Sequence, residues 1–499
     1  MKEKNSNLEF AGDVLTIASG TIISQIIAAL AIPIVTRIYS AESYGTYSLF
    51  VSIIIIIGSV ATLKYELSIA LPEKDEEAVN QLYLSIIISF LFSFILFMLL
   101  LIFKSLLLKF FDQTLISFLL FLLPLSFFVI GVNYSLNYWN TRKRNFLNIS
   151  INKISKEAIK DAFQLIPVLF GMVNGIFLIY SEFLGWLIST LIFYKNSLSQ
   201  ITRKFSEKIV INKNDLVAGF KKYIKFPKYS AFTVFLNNFA IQIPIFLISL
   251  YYSKAYAGEF AISNNILRIP LTFIGNSIGQ VFYQRASNVR RDSKKIKSLV
   301  RETTINLLII GTIPTIFLAF FGKESLILLL GKKWEIAGSI TQILSPWLFF
   351  NFISVPISTL VFIFEKQEFN LIFNIILVIT KFLSIYIGYL MNDFFLGMVL
   401  FSISGSLLYF AFSLLLCSIV GLSPWAFLQD IIKLVIKTLP FIFLLIIVKI
   451  LNINEYLKLG LAMFFTIISF AIYLRDNKLI SDLFLNSKFM QKIFPKKEK

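Results

Sequence analysis

Apolar runs long enough to cross a bilayer recur along the whole chain, and they limit the possible folds more than any other feature. A bilayer-spanning helix needs about 20 consecutive, mostly apolar residues. Hydrophobic residues make up 57% of the 499 positions and charged residues only 15%, which is not a soluble composition. The sequence therefore predicts an all-α polytopic membrane protein with about 14 transmembrane helices, near residues 13–34, 44–63, 80–103, 113–133, 149–171, 175–194, 229–250, 259–283, 302–321, 338–363, 371–389, 394–418, 434–450 and 457–474.

The basic residues between these spans predict the orientation of the chain. With a cytoplasmic N-terminus, the inside segments carry 32 Lys and Arg residues and the outside segments carry 9. Cytoplasmic loops are enriched in Lys and Arg, so both termini are expected inside the cell. The net charge of +19 then follows mainly from topology and from attraction to anionic lipid headgroups, and no nucleic-acid partner is expected.

Two residue types that carry much enzyme chemistry are scarce. The chain has no histidine, which excludes His proton relays, Ser-His triads and His-ligated metal sites. Cys417 is the single cysteine, so an intramolecular disulfide cannot form. The first apolar stretch has spanning length and lacks a small-residue cleavage site, so we expect no cleaved signal peptide. No cofactor is expected.

A short motif occurs twice, about 213 residues apart. The copies are Ile32-Pro33-Ile34, Tyr39-Ser40, Gly45-Thr46-Tyr47 and Ile243-Pro244-Ile245, Tyr252-Ser253, Gly258-Glu259-Phe260. Membrane transporters are commonly built from internal repeats. The motif therefore predicts two related helical bundles, and Pro33 and Pro244, at matching places, are candidate hinges.

The repeat divides the chain into three parts. The Lys-rich stretch 195–228 falls where the repeat predicts a linker, which gives lobes at 1–222 and 223–418 with six spans each. The first and seventh spans both run outward, so the lobes are expected to be parallel copies. Residues 419–499 add two further spans and a basic cytoplasmic tail.

Charged residues inside the predicted spans mark the candidate site. A charge at the bilayer centre costs about 2.5–3.5 kcal/mol, so such residues usually face a bundle interior or a wet cavity. On the fifth span, polar residues recur at spacings of three and four and share one helical face. That face is either an internal ionic ladder or a cavity wall, and we favour the wall; its residues are Lys153, Glu157, Lys160, Asp161 and Gln164.

A second polar group is expected near the middles of the eighth and eleventh spans. Arg268 follows Asn264 and Asn265 on one helical face, and Lys381 lies on the eleventh span. Surplus positive charge there suits a large lipid-linked cargo with a phosphate or diphosphate, while a salt bridge to Glu182 or Asp161 is the structural alternative. Gln25 is a candidate for contacts with sugar hydroxyls.

Several segments resemble the Wzx-type flippases, the polysaccharide-transport family of the multidrug/oligosaccharidyl-lipid/polysaccharide exporter superfamily. The resemblance rests on SGTIISQIIAALAIPIVTRIYSAESYGTYSLF at 19–50 and KYELSIALPEKDEEA at 64–78. Further support comes from NTRKRN at 140–145 and IGQVFYQRAS at 278–287. The motifs cover the first half well, whereas the last two spans match only by number and hydropathy.

The resemblance implies a MATE-like fold and a function. It implies two six-helix lobes plus two helices, and movement of undecaprenyl-diphosphate-linked oligosaccharide, such as O-antigen or capsule units, across the bacterial cytoplasmic membrane by alternating access. It also implies coupling to H+ or Na+, for which Asp161, Glu157 and Glu182 are the acidic candidates. A polysaccharide polymerase and a chain-length regulator are candidate partners.

Three alternatives stay open. A multidrug exporter of the same superfamily is expected to have twelve spans and a dominant acidic site, and a lipid II flippase shares the architecture. A membrane polymerase or ligase is expected to carry a substantial outer loop with catalytic residues. The longest predicted outer segment, 322–337, has only 16 residues, so the chain is not expected to be an enzyme.

Overall fold

The structure, a computed structural model, describes residues 2–109, 113–205, 213–270 and 275–475. The part of the chain that it describes is built of helices, which confirms the all-α prediction. It divides into two compact units, Met1–Gly258 and Glu259–Lys499. The predicted lobes 1–222 and 223–418 and the appendage 419–499 stay predictions.

Unit 1 contains the first nine helices and the start of the tenth. A short 3-10 helix, Tyr65–Ala70, lies between the second and third, and a π-helix, Phe226–Ala231, leads into the ninth. The helices are α1 (Lys2–Ile38), α2 (Ala41–Gly58), α3 (Asp75–Ile102), α4 (Lys104–Leu107), α5 (Gln113–Arg142), α6 (Phe146–Leu169), α7 (Ile176–Phe205), α8 (Lys213–Lys222), α9 (Phe232–Tyr251) and α10 (Lys254–Pro270).

Unit 2 begins within α10. A 3-10 turn, Lys332–Trp334, joins its two most extensively packed helices. The remaining helices are α11 (Asn276–Val289), α12 (Ser293–Leu330), α13 (Glu335–Ile357), α14 (Leu360–Ile363), α15 (Gln367–Leu390), α16 (Phe394–Ile419), α17 (Pro424–Ile450) and α18 (Glu455–Arg475).

Local sequence signals explain where several of these helices begin and end. Ser40 accepts a hydrogen bond from the Ser43 amide at the start of α2, and Asp292 accepts from two amides at the start of α12. Helices α6 and α16 both end in a left-handed glycine, Gly171 (φ 73°) and Gly421 (φ 74°). Glycine adopts this conformation without steric cost, which lets the chain turn sharply.

Twelve helices among the described residues are long and apolar enough to cross a membrane. The predicted number of 14 is therefore not confirmed. The span predicted at 149–171 corresponds to α6, whose charged residues lower its hydropathy. The span predicted at 259–283 corresponds to α10 and α11, with 271–274 outside the described residues. Both segments carry the polar residues that suggested a site.

In unit 1, α6 packs against α1 and α7, while α5 packs against α3 and α7. Helix α2 packs against α9, where Ser52 Oγ donates to Gln242 Oε1 at 3.1 Å. In unit 2, α13 lies between α12 and α16, and α15 packs on α16. Helices α17 and α18 pack against α12 and each other.

The two copies of the repeated motif contact each other within unit 1. A Cβ built on Gly45 would overlap the carbonyl oxygen of Lys254, and one built on Gly258 would overlap the carbonyl oxygen of Ala41. The same offset of about 213 residues relates Gly45 to Gly258 and Ala41 to Lys254. The contact is therefore reciprocal, and it requires glycine on both sides.

Candidate functional site

Five ionic side chains of α6 and α7 form one group in unit 1, which we call the ionic cluster: Lys156, Glu157, Lys160, Asp161 and Glu182. The two helices approach closely at Gly185, where a Cβ would lie 3.0 Å from both the Lys156 carbonyl oxygen and Lys160 Cβ. The small residue thus brings Glu182 of α7 within reach of the lysines of α6.

The two lysines connect all three acids. Lys156 Nζ lies 2.9 Å from Glu157 Oε1 and 3.3 Å from Glu182 Oε1. Lys160 pairs with Glu157 and lies 3.5 Å from Asp161 Oδ1. Ionic groups that are largely withdrawn from water need such pairing, because an isolated buried charge loses several kcal/mol of solvation.

Glu182 has further partners on two helices. Tyr47 Oη, in the first copy of the repeated motif, donates to Glu182 Oε2 at 3.0 Å, and Trp186 Nε1 donates to Oε1 at 3.0 Å. The Trp186 ring also lies beneath the Lys156 ammonium, 4.6 Å from its centroid. These contacts hold Glu182 at the junction of α2, α6 and α7.

Asp161 is the least satisfied member of the ionic cluster. Its Oδ2 is buried and accepts no hydrogen bond from any described residue. The nearest ammonium, that of Lys160, is 3.5 Å from Oδ1 and also serves Glu157. Buried carboxylate oxygens are normally hydrogen-bonded, so Asp161 Oδ2 is an exception within the ionic cluster.

The predicted face of the fifth span is rearranged by its neighbours. Lys153 donates to Thr21 Oγ1 of α1 at 2.9 Å, whereas Glu157 pairs with Lys156 and Lys160. The Gln164 carbonyl accepts from Tyr39 Oη at 2.8 Å. The ionic ladder and the cavity wall both stay predictions.

Gln25 lies on α1, one turn after the Thr21 that binds Lys153. Residues four apart share a helical face, so Gln25 and the Lys153 contact lie on the same side of α1. Its side chain is half-buried. Gln25 and the ammonium of Lys153, which comes from α6, therefore lie on the same face of α1 within unit 1.

In unit 2, the predicted cations Arg268 of α10 and Lys381 of α15 interact electrostatically. Lys381 is only 7% exposed, and its Nζ lies 5.8 Å from the centroid of the Phe401 ring. Phe401 packs edge-on against Phe260 and Trp347, at centroid distances of 6.0 and 5.6 Å. We call Arg268 and Lys381 the cationic pair.

The neighbours of Arg268 differ from expectation. Arg268 also interacts electrostatically with Tyr409 of α16. The side chain of Asn264 is half-buried, whereas that of Asn265 is exposed. Ser263, in the preceding turn position, instead forms the buried link to α13, with its Oγ 2.9 Å from Thr341 Oγ1.

Sequence reasoning missed several residues of these sites. Lys156 is off the predicted face, and Tyr47 and Trp186 carry no sign of their acidic partner in the sequence. Glu259 is 3% exposed and accepts from the Ala337 amide at 2.8 Å, so it caps the start of α13. Only the presence of Glu259 within the repeated motif could have drawn attention to it.

Pro33 lies inside α1 and Pro244 lies inside α9, and both helices continue through them. Hinge motion at either residue stays a prediction. Among the described residues, no group of three or more acidic or cysteine side chains is arranged to hold a metal ion.

The long apolar helices of the described residues define a multi-pass membrane protein. A family model described as polysaccharide biosynthesis protein matches residues 34–338, which is more than half of the chain. The chain therefore belongs to this family, and the resemblance to the polysaccharide-transport branch is confirmed.

A curated relative supports the same family. The capsular polysaccharide biosynthesis protein CapF of Staphylococcus aureus is 29% identical over 171 residues. That match covers 34% of this chain and 43% of the relative, so it spans less than half of either protein.

Two solved structures share the fold. The lipid II flippase MurJ in an inward closed conformation gives a TM-score of 0.73 at 17% identity, over 94% of this chain and 99% of that one. An inward-facing multidrug resistance MATE family transporter of the MOP superfamily gives 0.64 at 13% identity, over 80% and 94%. These likenesses establish the MATE-like architecture.

Proposed function

We propose that this chain is a flippase that moves an undecaprenyl-diphosphate-linked oligosaccharide from the cytoplasmic to the outer leaflet by alternating access. The observation that carries the proposal is the cationic pair. Arg268 and Lys381 fall near the middles of predicted spans, where charges are costly, and charges inside membrane spans commonly mark a functional site.

The chemistry of the cationic pair fits a diphosphate. An Arg guanidinium binds phosphate oxygens through two parallel hydrogen bonds, and a Lys ammonium adds a compact point charge. Two like charges that interact in a poorly solvated place repel each other, and a doubly anionic group between them relieves that repulsion. Asn264, Asn265 and Gln25 are proposed to contact sugar hydroxyls.

Among the alternatives, we favour a polysaccharide precursor over lipid II or a drug. The matching family is described as polysaccharide biosynthesis protein, and the name of the relative CapF refers to capsular polysaccharide biosynthesis. A drug exporter for organic cations is disfavoured because its site would need net negative charge, whereas unit 2 offers the cationic pair. We propose no enzymatic activity, and a polymerase and a chain-length regulator are proposed partners.

The proposed setting is the bacterial cytoplasmic membrane with both termini inside, as the distribution of basic residues indicates. Lobes 1–222 and 223–418 are proposed to rock about Pro33 and Pro244.

A leaflet assay tests the function directly. In cells that lack the protein, lipid-linked oligosaccharide is expected to accumulate in the inner leaflet, protected from a membrane-impermeant glycosidase in spheroplasts. Restoring the gene is expected to bring the lipid-linked oligosaccharide to the outer leaflet, where the glycosidase cleaves it. Units that already reach the outside without the protein, unpolymerised, would instead indicate a polymerase.

We further propose that Asp161 carries the coupling proton. Its Oδ2 accepts no hydrogen bond from the described residues, whereas Glu157 and Glu182 are each bound by at least two donors. The charged groups that act on Asp161 are Lys160 and Glu157 on its own helix and Glu182 on α7. Protonation of Asp161 leaves the two lysines balanced by two carboxylates.

Asp161→Asn imitates the protonated carboxyl and is expected to uncouple transport from the proton gradient. In proteoliposomes, the imposed pH gradient is expected to change wild-type transport by roughly tenfold and to leave the variant unaffected. Asp215→Asn, on the exposed first turn of α8, is the matched control. A variant at 161 that still follows the pH gradient would refute the assignment, and dependence on a Na+ gradient alone would identify sodium as the coupling ion.

A further inference from the structure

Helix α8 and the turn that follows it combine three different surfaces within a few residues. One face packs on the protein, one is apolar and exposed, and one is basic and exposed. With ten residues, α8 is about 15 Å long and too short to cross a bilayer.

The first face is anchored in unit 1. Tyr65 Oη donates to the Phe220 carbonyl at 3.0 Å, and the Tyr65 and Phe220 rings stack at 5.4 Å. Gly219 is buried against Gln81 of α3, and a Cβ there would overlap the Gln81 amide. The position of α8 relative to α3 is therefore closely defined.

That anchor sets the depth of α8. Helix α3 is 28 residues long, or about 42 Å, whereas the hydrocarbon core is about 30 Å thick. Gln81 lies six residues into α3, about 9 Å from its start. With the hydrocarbon core centred on α3, its boundary lies about 6 Å from the helix start, which is within one helical turn of Gln81. Interfacial amphipathic helices lie at this boundary.

The exposed apolar face has the spacing of a single helical stripe. Val217, Phe220 and Ile224 recur at intervals of three and four and are 45%, 42% and 44% exposed. Phe220 lies at the edge of this stripe, because its ring also stacks on Tyr65. Exposed apolar side chains of this size, clustered on a segment that does not span the membrane, mark an interaction surface.

The neighbouring face is basic. Its four lysines are exposed and lie in the predicted cytoplasmic linker: Lys221, Lys222, Lys225 and Lys228. The cytoplasmic leaflet carries anionic lipids, which attract basic segments close to the bilayer. Charge and apolar pattern thus select a lipid surface as the occupant.

We propose that the α8 segment is an anionic-lipid-binding anchor, with its apolar stripe in the headgroup boundary and its lysines on phospholipid phosphates. The contact fixes the linker between the proposed lobes to the cytoplasmic membrane surface. It requires no assumption about the cargo, so its test is independent of the proposed transport.

Spin labels at single cysteines test the depth. Cys417→Ser removes the single native cysteine, and Val217→Cys or Ala218→Cys then places a nitroxide on the apolar stripe or beside it. In phosphatidylglycerol vesicles, the label at 217 is expected to be accessible to oxygen and shielded from a water-soluble nickel chelate. The label at 218 is expected to be accessible to the nickel chelate.

Lipid charge and lysine charge are then varied. In phosphatidylcholine vesicles, or when the four lysines become glutamine, the oxygen-to-nickel accessibility ratio at 217 is expected to fall by roughly threefold or more. The matched control replaces four exposed basic residues of another inside segment, Arg290, Arg291, Lys294 and Lys295, and is expected to leave the ratio unchanged.

Three outcomes would overturn the proposal. A label at 217 that is accessible to nickel in both lipids would place the stripe in water. A label shielded from both reagents would mean that protein covers it. An oxygen-to-nickel accessibility ratio at 217 that changes neither with lipid charge nor with the four lysines would indicate a purely apolar contact. It would refute the anionic-lipid assignment.

Discussion

Valine at Gly45 or at Gly258 is expected to abolish export and to destabilise unit 1. A Cβ at Gly45 would overlap the Lys254 carbonyl oxygen and lie 3.1 Å from the Gly258 nitrogen. A Cβ at Gly258 would overlap the Ala41 carbonyl oxygen and lie 2.8 Å from the Gly45 nitrogen. Backbone atoms of packed helices cannot rotate away, so α2 and α10 must separate.

The size of this effect follows from overpacking. Forcing extra carbons into a packed contact costs about 1–3 kcal/mol, and valine adds three carbons. The thermal unfolding midpoint of the purified protein and surface polysaccharide in cells are the two measurements. Gly460→Val in α18 is the matched control, because a Cβ there meets nothing within 4 Å.

The double variant sharpens the test. Both glycines serve one contact, so the combined loss of unfolding free energy is expected to be well below the sum of the single losses. Additive losses, or a stable and active Gly45→Val protein, would show that the two motif copies do not depend on each other.

Replacing the cationic pair by uncharged residues of similar size is expected to abolish export while leaving the protein folded. Arg268→Gln with Lys381→Met removes both charges and keeps most of the volume. Exchanging buried charges for well-packed uncharged groups is often neutral or stabilises a protein by about 1–4 kcal/mol. Unchanged or higher stability with at least about a hundredfold loss of transport is the expected signature, since each bond to a charged group contributes about 1.5–3 kcal/mol.

Two controls separate charge from packing. Arg268→Lys with Lys381→Arg keeps both charges and is expected to retain part of the transport. Lys437→Met removes a different lysine of a spanning helix, whose ammonium lies 4.8 Å from the Tyr473 ring centroid, and is expected to retain full transport. Normal export by the uncharged double variant would contradict a role for the pair in binding cargo.

The sequence predicts the helical class well, because spanning helices depend on local hydropathy. Helices α1, α3 and α17 contain predicted apolar runs, and only their ends differ. The predicted span at 259–283 is less well matched, since Arg268 and the amides around it lower its hydropathy. The charged residues that indicate a site also lower the hydropathy of their helix, so the helix is harder to recognise as a membrane span.

The candidate sites are harder to predict from the sequence than the helices are. Helical periodicity predicted that Glu157, Lys160 and Asp161 lie together, since that is a property of one helix. It could not predict the link from Lys156 to Glu182, because that link depends on how α6 meets α7 at Gly185. The cap that Glu259 forms on α13 depends on packing in the same way.

The contact between the motif copies has the form of an isologous dimer interface. Residue 41 faces 258 and residue 45 faces 254, so each copy presents to the other the surface that it receives. Each motif copy therefore limits which residue the other copy can carry at this contact, because a side chain on either glycine meets the backbone of the other copy.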